Sequence, residues 1–335
     1  MDLATTYLGL RLEHPLVASS SPLTGDLDSL RRLEDAGAAA VVLPSIFEQQ
    51  IDHEAAEHER LTSVGTESFA EASSWFPVSA AIPAGPHDYL NLIRRARAAL
   101  AIPVIASLNC SSVRGWSDYS RLIAQAGASA LELNSFSVPV EADLDGGAVE
   151  QSHLDVLRSV KAAVTLPVAI KLSPYFSAVG DMVRRLDRAG ASGFVLFNRF
   201  YLPDIDLASM RVQRDLALSA PADMRLPLLW TCVLAGQVDG SIAATSGVDS
   251  ADQVIKYLLA GADVVMTASA LLRHGIGHMG TLLNDLSTWL DSREVTSIGE
   301  IRGRMSRQRL DDPMVFEHGN YISIPRGRPA RNGWS

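Results

Sequence analysis

A short unit recurs four times along the chain and restricts the fold more than any other feature. "DAGAAAVVLPS" begins at Asp35, "QAGASALELNS" at Gln125, "RAGASGFVLFN" at Arg188 and "LAGADVVMTAS" at Leu259. Each places Ala-Gly-Ala before a short apolar run, which then gives way to polar or small residues. Each follows an amphipathic stretch such as "DLDSLRRLED" or "VGDMVRRLDR". A helix ending at the glycine explains the first half, because glycine takes the left-handed C-cap conformation without steric cost. The apolar run is then a buried strand.

A second pattern alternates with the first. "EHPLVASSS", "AIPVIASLN" and "TLPVAIKLS" each put proline just before an apolar run. Proline cannot continue a helix and suits the first position of a strand. "RLPLLW" looks similar but reads as the approach to a helix over Leu228 to Val238, which makes "SIAATSG", residues 241–247, the following strand. The total is eight strands, near residues 15–20, 39–45, 103–108, 130–135, 167–172, 193–198, 241–246 and 264–268, with helices between them. Near-continuous apolar strands alternating with amphipathic helices give a parallel sheet covered by helices. Eight such units give an α/β fold of the (β/α)8 TIM-barrel class. The opening "TTYLGLRLEHP", with Gly9 near its centre, reads as a hairpin closing the barrel floor. Residues 1–335 read as one domain, with a barrel over about 15–290 and a C-terminal extension over about 291–335. Two inserted loops, 48–85 after strand two and 199–227 after strand six, are long enough to act as lids.

Composition narrows the partners. Hydrophobic residues make up 47% of the 335, enough for a large core. The formal net charge of −9 argues against a nucleic-acid partner held by phosphate contacts. Two cysteines, Cys110 and Cys232, exclude a disulfide framework and a cysteine metal site; both read as core residues in a reducing cytoplasm. No basic region followed by an apolar run opens the chain, so no signal peptide is expected. No apolar stretch reaches the roughly 18 residues that span a membrane, so no membrane partner is expected either.

In a parallel barrel the chemistry gathers at the C-terminal ends of the strands. Here those ends carry Ser19, Ser20 and Ser21, then Pro44 and Ser45, then Asn109. Asn134, Ser135 and Ser137 follow strand four, Lys171 and Ser173 strand five, and Asn198 and Arg199 strand six. Thr245, Ser246 and Gly247 close strand seven, and Thr267, Ala268 and Ser269 close strand eight. No histidine or carboxylate is expected among them. The loops after the last two strands are the usual phosphate site of such barrels, where glycine and small residues let backbone N–H groups approach an anion. Lys171 lies inside an apolar strand, so its ammonium must be paired or face a polar cavity. It suits either a cation beside an electron-rich cofactor or a Schiff-base amine. The three asparagines offer uncharged donors and acceptors to a flat heterocycle. Ser137 is a poor base unless a neighbour relieves it of its proton.

These strand ends resemble the dihydroorotate dehydrogenase family of FMN-dependent barrels, over most of the chain to about residue 290. "LELNSFS" looks like the family's fourth strand end, where a catalytic Cys or Ser stands three residues after an asparagine; the matching position is Ser137. "AIKLSPYF" looks like the segment whose lysine contacts flavin, giving Lys171, and "LFNRF" gives Asn198 as a substrate ligand beside Asn134. "SGVDSADQ" and "MTASALL" look like the FMN phosphate segments. The resemblance therefore implies FMN bound by Ser19, Ser20, Asn109, Asn134, Lys171, Ser246, Gly247, Ala268 and Ser269. It implies a small-molecule substrate, with Ser137 as base and Lys171 as electrostatic partner. It also implies a homodimer and an electron-transfer partner, the acceptor being fumarate, a quinone, oxygen, or NAD through a partner subunit. The chain departs from the family at Pro44, where a lysine is usual, at "SSWFPVSA", which replaces an asparagine-bearing substrate loop, and at "SVPV", which lacks the Pro-Asn after the base. Two alternatives remain open: a Schiff-base aldolase using Lys171, and a non-catalytic flavin-binding barrel.

Overall fold

The structure, a computed structural model, describes residues 1–48, 85–109, 112–135, 140, 143–198, 204–213, 217–312 and 316. A hairpin comes first, β1 (Thr5–Tyr7) and β2 (Leu10–Leu12). Six barrel strands follow: β3 (Leu16–Ala18), β4 (Ala40–Phe47), β5 (Val104–Asn109), β6 (Ala130–Asn134), β7 (Val168–Leu172) and β8 (Gly193–Leu196). After a second hairpin, β9 (Asp204–Asp206) and β10 (Arg211–Gln213), the barrel resumes with β11 (Ser241–Ala244) and β12 (Val264–Thr267). The helices are α1 (Leu27–Asp35), α2 (Pro86–Ala99), α3 (Val113–Gln125), α4 (Gly146–Ala163) and α5 (Val179–Arg188). They continue with α6 (Arg225–Leu234), α7 (Ala251–Ala260), α8 (Ser269–His274), α9 (His278–Ser292) and α10 (Ile298–Ile301). The eight strands β3 to β8, β11 and β12 pair in parallel and close on themselves, β12 against β3. The expected (β/α)8 barrel is therefore borne out, strand for strand.

The recurring unit behaves as its glycine requires. Gly37, Gly127, Gly190 and Gly261 all have positive φ, between 88° and 117°. In each turn the next N–H reaches back to a carbonyl five residues earlier, as in Ala38 N to Leu33 O and Ala191 N to Leu186 O. That bond closes the helix end and aims the chain into the following strand. At the other ends, Asp26, Ser112 and Asp145 cap α1, α3 and α4 by accepting from backbone N–H groups.

Alternation along the strands divides the core in two. Outward residues such as Leu131, Leu133, Ile170 and Leu196 pack under the helices. Inward residues such as Val17, Ile105, Ala130, Val195 and Met266 fill the barrel, with Tyr7, Leu8 and Leu12 of the first hairpin. Leu8 and Gly9 form its two-residue turn, both with positive φ. Leu8 is buried at the foot of β8, where a Cβ on Gly193 would stand 2.6 Å from its Cδ2. The hairpin closes the floor as expected.

Two local expectations change in detail. The helix read over Leu228 to Val238 is α6, Arg225–Leu234. Pro227 falls in its first turn, where the missing N–H would have no helical partner in any case. Pro44 does not end a strand: it sits within β4 at a register shift between Val42 and Ser45, where a proline removes no ladder bond. Residues 49–84 of the first insertion, and residues 313–315 and 317–335 of the C-terminal extension, lie outside the described residues.

Candidate functional site

The C-terminal mouth of the barrel holds a cavity of about 240 Å³. Ser19 and Ser20 reach it from β3, Asn134 from β6, Lys171 from β7 and Asn198 from the end of β8. Ser246, Ala268 and Ser269 line it from the loops after β11 and β12. A larger hollow of about 630 Å³ lies at the opposite face, between the first hairpin and the Asp263–Arg302 pair. Parallel barrels carry their chemistry at the C-terminal face, so the smaller cavity is the candidate site.

Period two along β6 sends Glu132 and Asn134 inward together, beside Lys171 of β7, which is in register with Asn134. Asn134 is locked by its neighbours. Its Nδ2 donates to Ser45 Oγ at 3.0 Å, and its Oδ1 accepts from Asn198 Nδ2 at 2.5 Å. Ser45 Oγ in turn shares a hydrogen bond with Ser107 Oγ at 2.7 Å. Two hydroxyls and two amides from four strands thus form one chain of hydrogen bonds, which fixes which edge each amide presents. Lys171 Nζ stands 3.4 Å from Glu132 Oε1, and the two side chains are 10% and 1% exposed.

The other end of the cavity is made of small residues tied across three loops. Gly247 N donates to Ser219 Oγ at 3.2 Å, and Ser219 N donates to Ser269 Oγ at 3.0 Å. Tyr257 Oη donates to Ser246 O at 2.8 Å and anchors the same turn from below. Ser246 and Gly247 are both left-handed, φ 78° and 70°. A Cβ on Gly247 would lie 2.7 Å from Met224 N and 2.9 Å from Ala220 O. Only glycine fits this turn, for both conformation and space.

Not every expected residue converges. Asn109 ends β5, buried, but is not among the residues lining the cavity. Gly247 shapes the wall from within its turn, while Ser246 and Val248 on either side of it line the cavity. Ser137, Arg199 and Cys110 lie outside the described residues. Ser135 has the kind of neighbour that a reactive hydroxyl needs: its Oγ lies 3.1 Å from His153 Nε2. His153 Nδ1 is 2.9 Å from Val149 O, which can only accept, so Nδ1 carries the proton and Nε2 accepts from Ser135. Neither residue lines the cavity.

The expectation that no carboxylate stands at the strand ends needs correction. Glu48 follows β4 directly, is buried, and accepts from Ser112 N at 2.8 Å and from the Ser112 hydroxyl. Glu132 lies one inward position below Asn134 and is paired with Lys171. In sequence Glu132 sits between two leucines and reads as part of an apolar run; the alternation of "LELN" was the signal that it points inward with Asn134. Among the described residues no group of three or more His, Cys, Asp or Glu could hold a metal ion.

A closed (β/α)8 barrel with a partly apolar cleft at its mouth, one lysine and convergent amides is the architecture of a small-molecule enzyme. Comparison with known proteins makes this more specific. The chain is 26% identical over 306 residues to the dihydroorotate dehydrogenase B (NAD(+)) catalytic subunit of Thermoplasma acidophilum, covering 90% of this chain and 98% of that protein. It is 25% identical over 317 residues to the protein of the same name from Thermoplasma volcanium, with the same coverage. It is 22% identical over 326 residues to the chloroplastic dihydropyrimidine dehydrogenase (NADP(+)) of Arabidopsis thaliana, covering 90% of this chain and 76% of that protein. No family model matches. Over nine tenths of its length the chain is thus similar to proteins named dihydroorotate and dihydropyrimidine dehydrogenase, in line with the resemblance of its strand ends. Among the described residues no helix is long and apolar enough to cross a membrane.

Proposed function

We propose that this protein is an FMN-dependent oxidoreductase of the dihydroorotate dehydrogenase type, oxidising a CH–CH bond of dihydroorotate or a related dihydropyrimidine-like substrate. One observation carries the reading. Among the described residues, the cavity combines a single cation, Lys171, and two interlocked amides with small hydroxyl-bearing loops, and no carboxylate lines it. That donor set fits a ligand with a phosphate and a flat, amide-edged ring. Ser219, Ser246, Ser269 and the turn at Gly247 would receive the phosphate, where a larger side chain at 247 would not fit. Ser19, Ser20, Asn134 and Lys171 would receive the ring, against apolar walls such as Met266 and Val248.

When bound, FMN would supply the acceptor for a hydride from one carbon of the substrate. Ser137 would take the proton from the adjacent carbon as its own hydroxyl proton passes to a neighbouring acceptor or water. Lys171 would hold a fixed positive charge where negative charge develops, without reorganisation during the step. Asn134 and Asn198, already oriented by each other and by Ser45, would position the polar edges of the substrate. A Schiff-base role is less well supported, because Lys171 is seated as an ion-pair partner of Glu132 rather than as a lone amine in an apolar pocket. The homodimer and the electron-transfer partner belong to the same proposal. The Thermoplasma relatives are named as NAD(+) catalytic subunits, which supports NAD, reached through a partner, as the acceptor.

Anaerobic mixing of the FMN-loaded protein with dihydroorotate tests the reaction. The visible flavin band is expected to bleach, and Ser137→Ala is expected to slow bleaching by about 100-fold or more. A band that persists removes dihydroorotate as the substrate. An unaltered rate in the variant removes Ser137 as the base.

A further inference from the structure

Glu132 is the carboxylate that the resemblance did not assign. Its side chain is 1% exposed, and neither carboxylate oxygen has a hydrogen-bond partner. Its register partners are Ser107 on β5 and Ala169 on β7, and the inward residues one step below it, Ile105 and Ala130, are apolar. Tyr7 rises from the floor hairpin, and its buried Oη is also without a partner. The charge of Glu132 adds to burial in making that phenol a weaker acid. The nearest cation is Lys171 Nζ, 3.4 Å from Oε1. Lys171 lines the cavity and Glu132 does not, so the carboxylate reaches the mouth only through the lysine.

Burying such a pair gives little net stability, because desolvation of both ions offsets their attraction. Apolar residues of similar size would serve the barrel core as well. The pair instead places a negative charge directly beneath the cation that lines the cavity.

We propose that Glu132 is a positioning residue that seats Lys171 and sets the net charge it presents to the bound cofactor. The cation acting on the flavin is then half of an ion pair, weaker in its pull than a lone ammonium would be. This rests on the FMN reading above. Glu132→Gln keeps the shape and an acceptor for Lys171 but removes the negative charge.

The experiment is a redox titration of the FMN-loaded wild type, Glu132→Gln and Glu132→Asp. Glu132→Gln is expected to shift the midpoint potential of the bound flavin to a more positive value, and Glu132→Asp to restore it towards the wild type. A purely structural role would lower thermal stability and leave the potential unmoved. An unchanged potential, or a shift to more negative values, overturns the inference and leaves the flavin reading standing. A wild type that binds no FMN overturns both. Should Glu132→Gln fail to fold, Glu132→Asp alone carries the test, because it draws the carboxylate back from Lys171 by one methylene: its potential must lie above that of the wild type, and an unmoved or more negative potential overturns the inference.

Discussion

Single residues decide how this barrel responds to acid. Burial lowers the pKa of His153, which accepts from Ser135, and of His14, which accepts from Leu16 N through Nδ1, below the ordinary value of 6.5. Each is therefore held neutral in the folded chain. Below pH 6.5 the unfolded chain binds protons that the folded histidines refuse, so their contribution to stability is intact above that pH and declines as pH falls towards the folded values. Urea unfolding across this window is expected to show stability falling with acidification, and His153→Gln is expected to flatten the dependence. An identical slope in the variant would mean that His153 does not titrate as its burial implies. At this scale the sequence was legible where chemistry and topology coincide. Lys171 in "AIKLS" and the asparagines at strand ends could be picked out because polar groups in apolar runs need partners. Glu132 was not, because its role depends on a lysine 39 positions later, brought beside it only by strand pairing. The Ser135–His153 contact was hidden for the same reason: it joins a strand end to the helix that follows it.

At the level of elements, the repeated helix–glycine–strand unit did most of the specifying. Four left-handed glycines, each closing a helix with the same back-reaching bond, set four of the eight strands on course. Gly247 is a different case. It makes the turn after β11 and is pressed against the chain at Ala220 and Met224. Gly9 has a similar φ, 75°, but nothing lies within 4 Å of where its Cβ would stand. Gly9→Ala is therefore expected to cost about 1 kcal/mol, the price of a left-handed alanine alone. Gly247→Ala is expected to cost about 2 kcal/mol or more, because the backbone at Met224 must also move. Parallel urea titrations of the two variants check this; equal losses would show that the turn has room the structure does not give it. Pro44 shows where elements escaped the sequence. A proline near the end of an apolar run reads as a strand stop, yet a register shift lets β4 continue to Phe47 and carry Ser45 to Asn134. The bulge is a property of pairing between β4 and β5, and one strand alone does not reveal it.

On the scale of the whole molecule, barrel closure converts a linear pattern into a site. Residues 19, 45, 134, 171, 198, 246 and 269 are scattered over the sequence, but each lies in the C-terminal part of a barrel strand or just after it, and closure gathers these strand ends around one mouth. The floor hairpin with Leu8 and Tyr7, and the apolar layers above it, close the other end. The second insertion contributes twice: residues 217–219 line the cavity, and the β9–β10 hairpin turns Ile205, Leu207, Met210 and Val212 to solvent. The fold, the inward lysine and the small-residue loops after β11 and β12 that line the mouth were thus legible from periodicity and from what strand ends must do. The hydrogen-bonded chain from Ser107 to Asn198 was not, since it spans four strands that no local pattern relates. The central claim is that this mouth holds FMN, and equilibrium titration of flavin-stripped protein with FMN tests it most directly. One FMN per chain, a yellow complex, and binding weakened in Gly247→Ala are expected. A colourless protein that takes up no FMN at any concentration would contradict it.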